Sequence, residues 1–274
     1  MIAPDLAARL RLHRSGRSLR GTCPACGYAD ALCITEKGGR NLAWCASCQD
    51  QTAVFAALRG VGEGWTPPER RDDATEREAE QKRQDAALRL WRGSEAATNT
   101  PADAYLSSRA LAGLAASAAL RYRGDCGHPD DRARHPAMIA LVVDCAEKPI
   151  AVHRTFLTRD GRKASVVPVK ASKGPVWGGA IRLDPVAPEL VIGEGIETSA
   201  SAGRLLNLPA WAALSAGSLA TDLILPMAVR AVVIAADPDA PGEQAANAAA
   251  KRWQAEGRHV RIARPTGAGD FKRL

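Results

Sequence analysis

The sequence predicts an α/β chain, α+β overall, made of a small N-terminal metal ribbon, a mixed α+β middle subdomain and a C-terminal parallel sheet. Three observations predict it. Cys23, Cys26, Cys45 and Cys48 form two C-x-x-C pairs near the N-terminus. Short apolar runs of strand type, MIALVVD and PIAVHRTFL, occupy the middle. Beyond them strands and helices alternate, which implies parallel pairing. The expected boundaries are 1–62 for the ribbon, 63–98 for a linker and charged helix, 99–186 for the middle subdomain and 187–274 for the parallel sheet.

Composition narrows the function. Of 274 residues, 46% are apolar and only 4% aromatic, so Ala, Val and Leu must build the core. The formal charge of +7 suits a polyanionic partner, nucleic acid first, and equally suits a solvated basic surface. No apolar run approaches the roughly 18–20 residues that span a bilayer, so no membrane partner is expected. MIAPDLAARLRLHR lacks the uninterrupted apolar stretch of a secretory signal. A cytoplasmic location is expected, where thiols stay reduced and the seven cysteines suit metal better than disulfides.

The elements follow in order. Cys23, Cys26, Cys45 and Cys48 can place four thiolates tetrahedrally around one structural zinc at roughly 2.3 Å. Such a metal supplies folding free energy that so small a module cannot gain from burial. Between the knuckles, ITEKGGRNLAW carries Lys37, Arg40 and Trp44 about a Gly-Gly hairpin turn. Cations and an aromatic on a small sheet can follow a phosphate backbone and stack a base; packing of Trp44 under the ribbon is the other reading. TAVFAALRG is a short helix and VGEGWTPPER a linker. The stretch from Asp72 to Ala97 is a helix with a solvated charged face. Thr100 is the expected N-cap of a further helix with Pro101 at its first position. In the C-terminal part LVIGEG, RAVVIAAD and RHVRIARP are strands, and ETSASAGRLL and GEQAANAAAKRWQAEG are helices.

Each of those strands ends near a carboxylate. Glu194 follows LVIG, Asp237 and Asp239 follow VVIAA, and Asp270 follows the last strand. In a parallel sheet these strand ends share one edge, where ligands bind. Carboxylates gathered there need compensation, and hard oxygen ligands favour Mg²⁺ or Mn²⁺, ions that support phosphoryl transfer.

G-E-G-I-E-T-S (193–199) followed by A-A-D-P-D-A-P-G (235–242) resembles the Toprim domain of bacterial primases, topoisomerases and some nucleases. Together with the N-terminal knuckles, the chain resembles bacterial-type (DnaG-like) primases of the phage and plasmid kind, relatives found on mobile elements. H-P-A-M-I-A-L-V-V-D (135–144) and A-V-H-R-T-F-L (151–157) resemble the segment that precedes Toprim in that family. The resemblance implies that Glu194 lies near the reacting phosphate, Asp237 and Asp239 bind Mg²⁺ or Mn²⁺ with it, and Asp270 supports them. It implies that Arg154, Lys163 and Lys173 hold nucleotide phosphates or template. The implied reaction is synthesis of RNA primers on single-stranded DNA from ribonucleoside triphosphates, with a replicative helicase as candidate partner. Two positions depart from the family pattern. Thr198 stands where a further carboxylate is common, and Asp270 is followed by Phe271, Lys272, Arg273 and Leu274. No helicase domain is expected after them.

Two other classes stay open. A Toprim nuclease would use the same carboxylates for hydrolysis, and a non-catalytic single-stranded DNA-binding factor would keep only the fold. A second metal on Cys126 and His128 is not expected from C-x-H spacing alone. Cys33 and Cys145 are expected as packed thiols, and the tryptophans other than Trp44 as core or subdomain-contact residues.

Overall fold

The structure is a computed structural model that describes residues 7–8, 10–15, 18–25, 27, 31–37, 40–45, 51–59, 73–130 and 133–265. It divides into two compact units, Met1–Glu76 and Arg77–Leu274.

The first unit holds an antiparallel sheet of β1 (His13–Ser15), β2 (Ser18–Gly21), β3 (Leu32–Lys37) and β4 (Arg40–Cys45), in that order, then helix α1 (Gln51–Arg59). Alternation sorts β4: Ala43 and Cys45 are buried while Trp44 between them is 44% exposed. Leu32, Ile34, Val54 and Leu58 complete a small core with Cys23 and Cys45. Lys37 pairs with Arg40, the register a two-residue Gly38–Gly39 turn requires; the turn itself lies outside the described residues.

The second unit begins within α2 (Asp73–Arg92), which is shorter than its charge pattern suggests. The Gly93 amide makes a closing bond to the Arg89 carbonyl, and β5 (Glu95–Ala96) then pairs with Tyr122 and Arg121, so the expected helical end is a strand. The helix is not solvated all round. Ala87 is fully buried beside Ile139, Val152 and Phe156, and the buried Gln84 donates to the Pro149 carbonyl at 2.8 Å. Thr100 caps α3 (Pro101–Ser107), accepting from the Ala102 amide. The middle sheet runs β5, β6 (Leu120–Gly127), β7 (Arg134–Val143), β8 (Pro149–Phe156) and β9 (Lys170–Lys173), all antiparallel.

The C-terminal sheet comprises β10 (Ile181–Arg182), β11 (Glu189–Gly193), β12 (Ala210–Ala212), β13 (Ala231–Ala235) and β14 (His259–Ala263), in the order β10-β12-β11-β13-β14. All its pairs are parallel except β10 with β12. Both faces are covered, so its strands read as continuous apolar runs. Val191, Val233 and Ala235 face one side with Ile196 and Ala200 of helix α4 (Ile196–Leu206). Leu190, Ile192, Val232 and Ile234 face the other with Ala246 and Trp253 of helix α5 (Ala240–Ala255). The first of these clusters continues into the middle subdomain through Tyr105, Leu106, Met138 and Ala151, so both sheets share one core.

Two packing expectations are corrected. Trp177, in the loop after β9, is 68% exposed, and Cys145 is exposed in the turn between β7 and β8. Cys33 is buried. Among the described residues no helix is long and apolar enough to cross a membrane.

Candidate active site at the edge of the parallel sheet

β11 and β13 are adjacent and in register, with Gly193 opposite Ala235. The next residue on one strand is Glu194, and two residues on along the other is Asp237. Both side chains therefore leave the same edge, and both line a cavity of about 120 Å³ with His153, Lys170, Glu197 and Thr198. The turn that aims Glu194 is tight. The Ser199 hydroxyl accepts from the Gly193 amide at 3.1 Å and donates to the Gly195 carbonyl at 2.8 Å. A Cβ at 193 would stand 2.9 Å from that oxygen, so the strand-to-helix turn requires glycine.

Glu194 is half-buried. Burial and the charges of Asp237 and Asp239 push its pKa up to about 7, partly offset by Lys170 and a hydrogen bond from the Ala216 backbone. Asp237 Oδ1 accepts from the Thr198 hydroxyl at 2.9 Å, so the residue at the departing family position orients a carboxylate instead of supplying one. Asp239 caps α5, accepting the Gly242 amide at 2.7 Å on Oδ1. A Cβ at 242 would lie 2.6 Å from the Asp237 carbonyl oxygen, so glycine permits this loop to close. Asp270 lies outside the described residues.

Four neighbours carry no signal that residue spacing alone would find. Glu197, in the first turn of α4, is 3% exposed. Its Oε2 is 3.0 Å from Lys170 Nζ, and its Oε1 accepts from the Tyr105 hydroxyl. Burial alone would raise the Glu197 pKa; the Lys170 charge and the hydrogen bonds from Tyr105, its own amide and Lys170 outweigh it and hold the carboxyl well below its usual range. Burial and the Glu197 charge push the Tyr105 hydroxyl far up. His153 is pushed down to about 3 by burial and then by Lys170, so its ring is neutral. Its Nδ1 is 3.0 Å from the Ser172 hydroxyl.

Strand parity decides which basic residues reach this site. Residues directly opposite in an antiparallel pair share a face. Thr155 faces Lys170 and His153 faces Ser172, on the side that carries the cavity. Arg154 pairs with Ala171 and Val152 with Lys173, one residue out of step. Arg154 therefore stands on the face away from the cavity. It is buried, and its guanidinium donates to the carbonyls of Ala171, Gly127 and Ser172 at 3.2, 3.0 and 3.2 Å. Lys173 is half-buried and Lys163 exposed; neither lines the cavity. Cys126 is buried, and His128 Nε2 lies 3.0 Å from the Pro168 carbonyl oxygen.

Carboxylate oxygens suit Mg²⁺ or Mn²⁺, and the like-charge rise at Glu194 is what a cation would relieve. Among the described residues no three acidic, histidine or cysteine side chains already converge on one point. Glu194 and Asp237 fit an ion that takes one or two carboxylates and completes its shell with water and phosphate oxygens. In the ribbon, Cys23 and Cys45 are buried together, and the Gly27 amide closes the first knuckle on the Cys23 carbonyl at 2.8 Å with φ of +71°. Cys26 and Cys48 lie outside the described residues, as do the side chains of Lys37 and Arg40.

Residues 189–273 match the family model described as the Toprim domain. The chain carries a Toprim domain. The Toprim sheet is the one whose edge bears Glu194 and Asp237. Residues 81–183 match a second model, a domain of unknown function, DUF7146. No curated protein sequence matches the chain. Among solved structures, the chain is similar to the DnaG primase catalytic domain bound to ssDNA (18% identity, TM-score 0.48, 74% of this chain and 75% of that one). It is similar to the Aquifex aeolicus primase zinc-binding and RNA polymerase domains (13%, 0.47, 98% and 79%). It is also similar to the primase fragment of the bacteriophage T7 primase-helicase protein (14%, 0.45, 93% and 93%).

Proposed function

We propose that the chain is a primase, a metal-dependent nucleotidyltransferase that joins ribonucleotides on a single-stranded DNA template. One observation carries the reading: Glu194 and Asp237 leave adjacent Toprim strands in register and line the same small cavity. Glu194, Asp237 and Asp239, with Asp270 in support, would hold Mg²⁺ or Mn²⁺, which supplies charge neutralisation for a triphosphate. Thr198 holds the Asp237 carboxylate in place, and Gly193 permits the tight turn that aims Glu194. In the ribbon, Cys23, Cys26, Cys45 and Cys48 would hold one zinc. Lys37, Arg40 and the exposed Trp44 would then meet the template, with Lys163 and Lys173 as further phosphate contacts. A replicative helicase is the expected protein partner.

The test is primer synthesis on single-stranded DNA with labelled ribonucleoside triphosphates and a parallel nuclease assay. RNA product lost in Asp237→Asn supports the reading. DNA cleavage without synthesis would favour a Toprim nuclease, and template binding with neither activity a binding factor.

A further inference from the structure

Packing does not explain Trp177. It stands in the loop between β9 and β10 and is 68% exposed, while Val176 beside it packs against the core shared by the two sheets. The loop around it is pinned. The Gly179 amide donates to the Val176 carbonyl at 3.1 Å, Ala180 and Val143 exchange both backbone bonds at 3.0 Å, and the Ile224 amide donates to the Gly178 carbonyl at 3.3 Å. A Cβ at Gly174 or Gly179 would stand 2.9 or 2.8 Å from atoms of Ile150, so the loop lies tight on β8. A ring presented on a fixed backbone loses little freedom when a ligand covers it.

Strand direction places this loop at the acidic edge. Ile181, Ala212 and Gly193 stand in one row across β10, β12 and β11. β10 runs against β12, so the residues before Ile181 continue past the end of β12, on the side from which Glu194 and Asp237 emerge. Lys170 and Ile181, one on each side of the loop, both line the cavity. The segment after β12 makes a second link: the Ala216 backbone bonds to Glu194, and Ile224 further on bonds to Gly178. Charge points to the occupant. Between Asp160 and Asp184 the chain carries Arg162, Lys163, Lys170, Lys173 and Arg182 and no carboxylate. Arg162, Lys170 and Arg182 pair with Asp160, Glu197 and Glu147. Among the described residues Lys173 makes no ion pair, and it ends the strand that leads into the loop. A cation so close in the chain to an exposed indole suits a polyanion with flat apolar bases.

We propose that Trp177 is a base-stacking platform for single-stranded DNA at the ligand edge of the Toprim sheet, with Lys173 on an adjoining phosphate. The assignment rests on the reading of the chain as a template-binding enzyme, and it adds to the ribbon's Trp44 an aromatic contact in the unit that carries the acidic site.

The experiment measures binding of fluorescein-labelled oligothymidine to the full chain by anisotropy across a salt series, in wild type, Trp177→Ala, Trp177→Leu, Trp177→Phe and Lys173→Gln. Trp177→Ala should bind about tenfold more weakly at every salt concentration, with the salt slope unchanged, because stacking releases no counterions. Trp177→Leu, apolar but without a ring, should leave the affinity low, and Trp177→Phe should restore most of it. Lys173→Gln should instead reduce the salt slope by about one. The ring is exposed, so the Trp177 variants should keep the wild-type Tm. Wild-type affinity in Trp177→Ala, or full recovery in Trp177→Leu, would overturn the assignment. So would self-association of wild type without DNA, seen by light scattering, that Trp177→Ala abolishes: the face would then belong to a second copy of the chain. Because the readout is DNA binding, failure of the primase reading appears separately, in the primer assay. A chain that binds DNA through Trp177 and makes no primer keeps the contact and loses that reading; wild type that binds no single-stranded DNA overturns both.

Discussion

The hydroxyl of Tyr105 on α3 donates a hydrogen bond to the buried carboxylate of Glu197 on α4. With the Lys170 ion pair, it ties α3, the middle sheet and the Toprim helix at one carboxylate. Tyr105→Phe removes the donor and leaves a buried, charged acceptor one bond short. Stability should fall by about 1–3 kcal/mol, measured by urea denaturation. Metal binding at Glu194 and Asp237 should survive in the folded fraction.

The acid limb of stability follows from the same carboxylate. Glu197 titrates below its ordinary value of 4.5 in the folded chain. Its contribution is therefore complete above that value and lost as pH falls through the folded one. Glu197→Gln should flatten this loss in thermal denaturation measured from pH 6 downward. An acid limb as steep as that of wild type would exclude Glu197 as its source.

Glu194 has the opposite sign. Its pKa is raised from 4.5 to about 7, so the folded state holds the proton more tightly and stability falls as pH rises across that window. Without metal, Glu194→Gln should raise stability above pH 7 by about 1 kcal/mol, or about 2–4 °C in Tm for a unit of this size. Below pH 4.5 the gain should vanish. Mn²⁺ affinity in wild type should also drop as pH is lowered through 7, because proton and cation compete for the carboxylate.

One zinc per chain is expected in protein purified without added metal, measured by elemental analysis. Cys23→Ser should release it and unfold the small unit, whose core includes Cys23 and Cys45. Protein that lacks zinc yet keeps a protected ribbon by hydrogen exchange would exclude a structural metal.

Trp44 is 44% exposed on a strand whose neighbours Ala43 and Cys45 are buried. Trp44→Ala should cost about 1–3 kcal/mol in single-stranded DNA affinity if a base stacks there. Binding should weaken steeply with salt as phosphate contacts release counterions. Fluorescence anisotropy across a salt series reads both; an unchanged affinity assigns Trp44 no part in binding.

Much of the architecture was legible because it is written in local pattern. The continuous apolar runs around Val191 and Val233, each followed by a helix, could only be strands covered on both faces. A carboxylate one or two residues past such a strand emerges at the ligand edge, as Glu194 and Asp237 do. What the tertiary structure alone decided is who meets them. Glu197 lies 27 residues from Lys170 and 92 from Tyr105 along the chain, separations that no periodicity spans. Arg154 and Lys173 are as basic as Lys170, and a single step of strand parity turns them away from the cavity. Sequence specified the strands and the edge; only the docking of the two sheets determined that Lys170, and not Arg154, carries its charge into the acidic site, because a side chain's face depends on register and the partner of that face on packing.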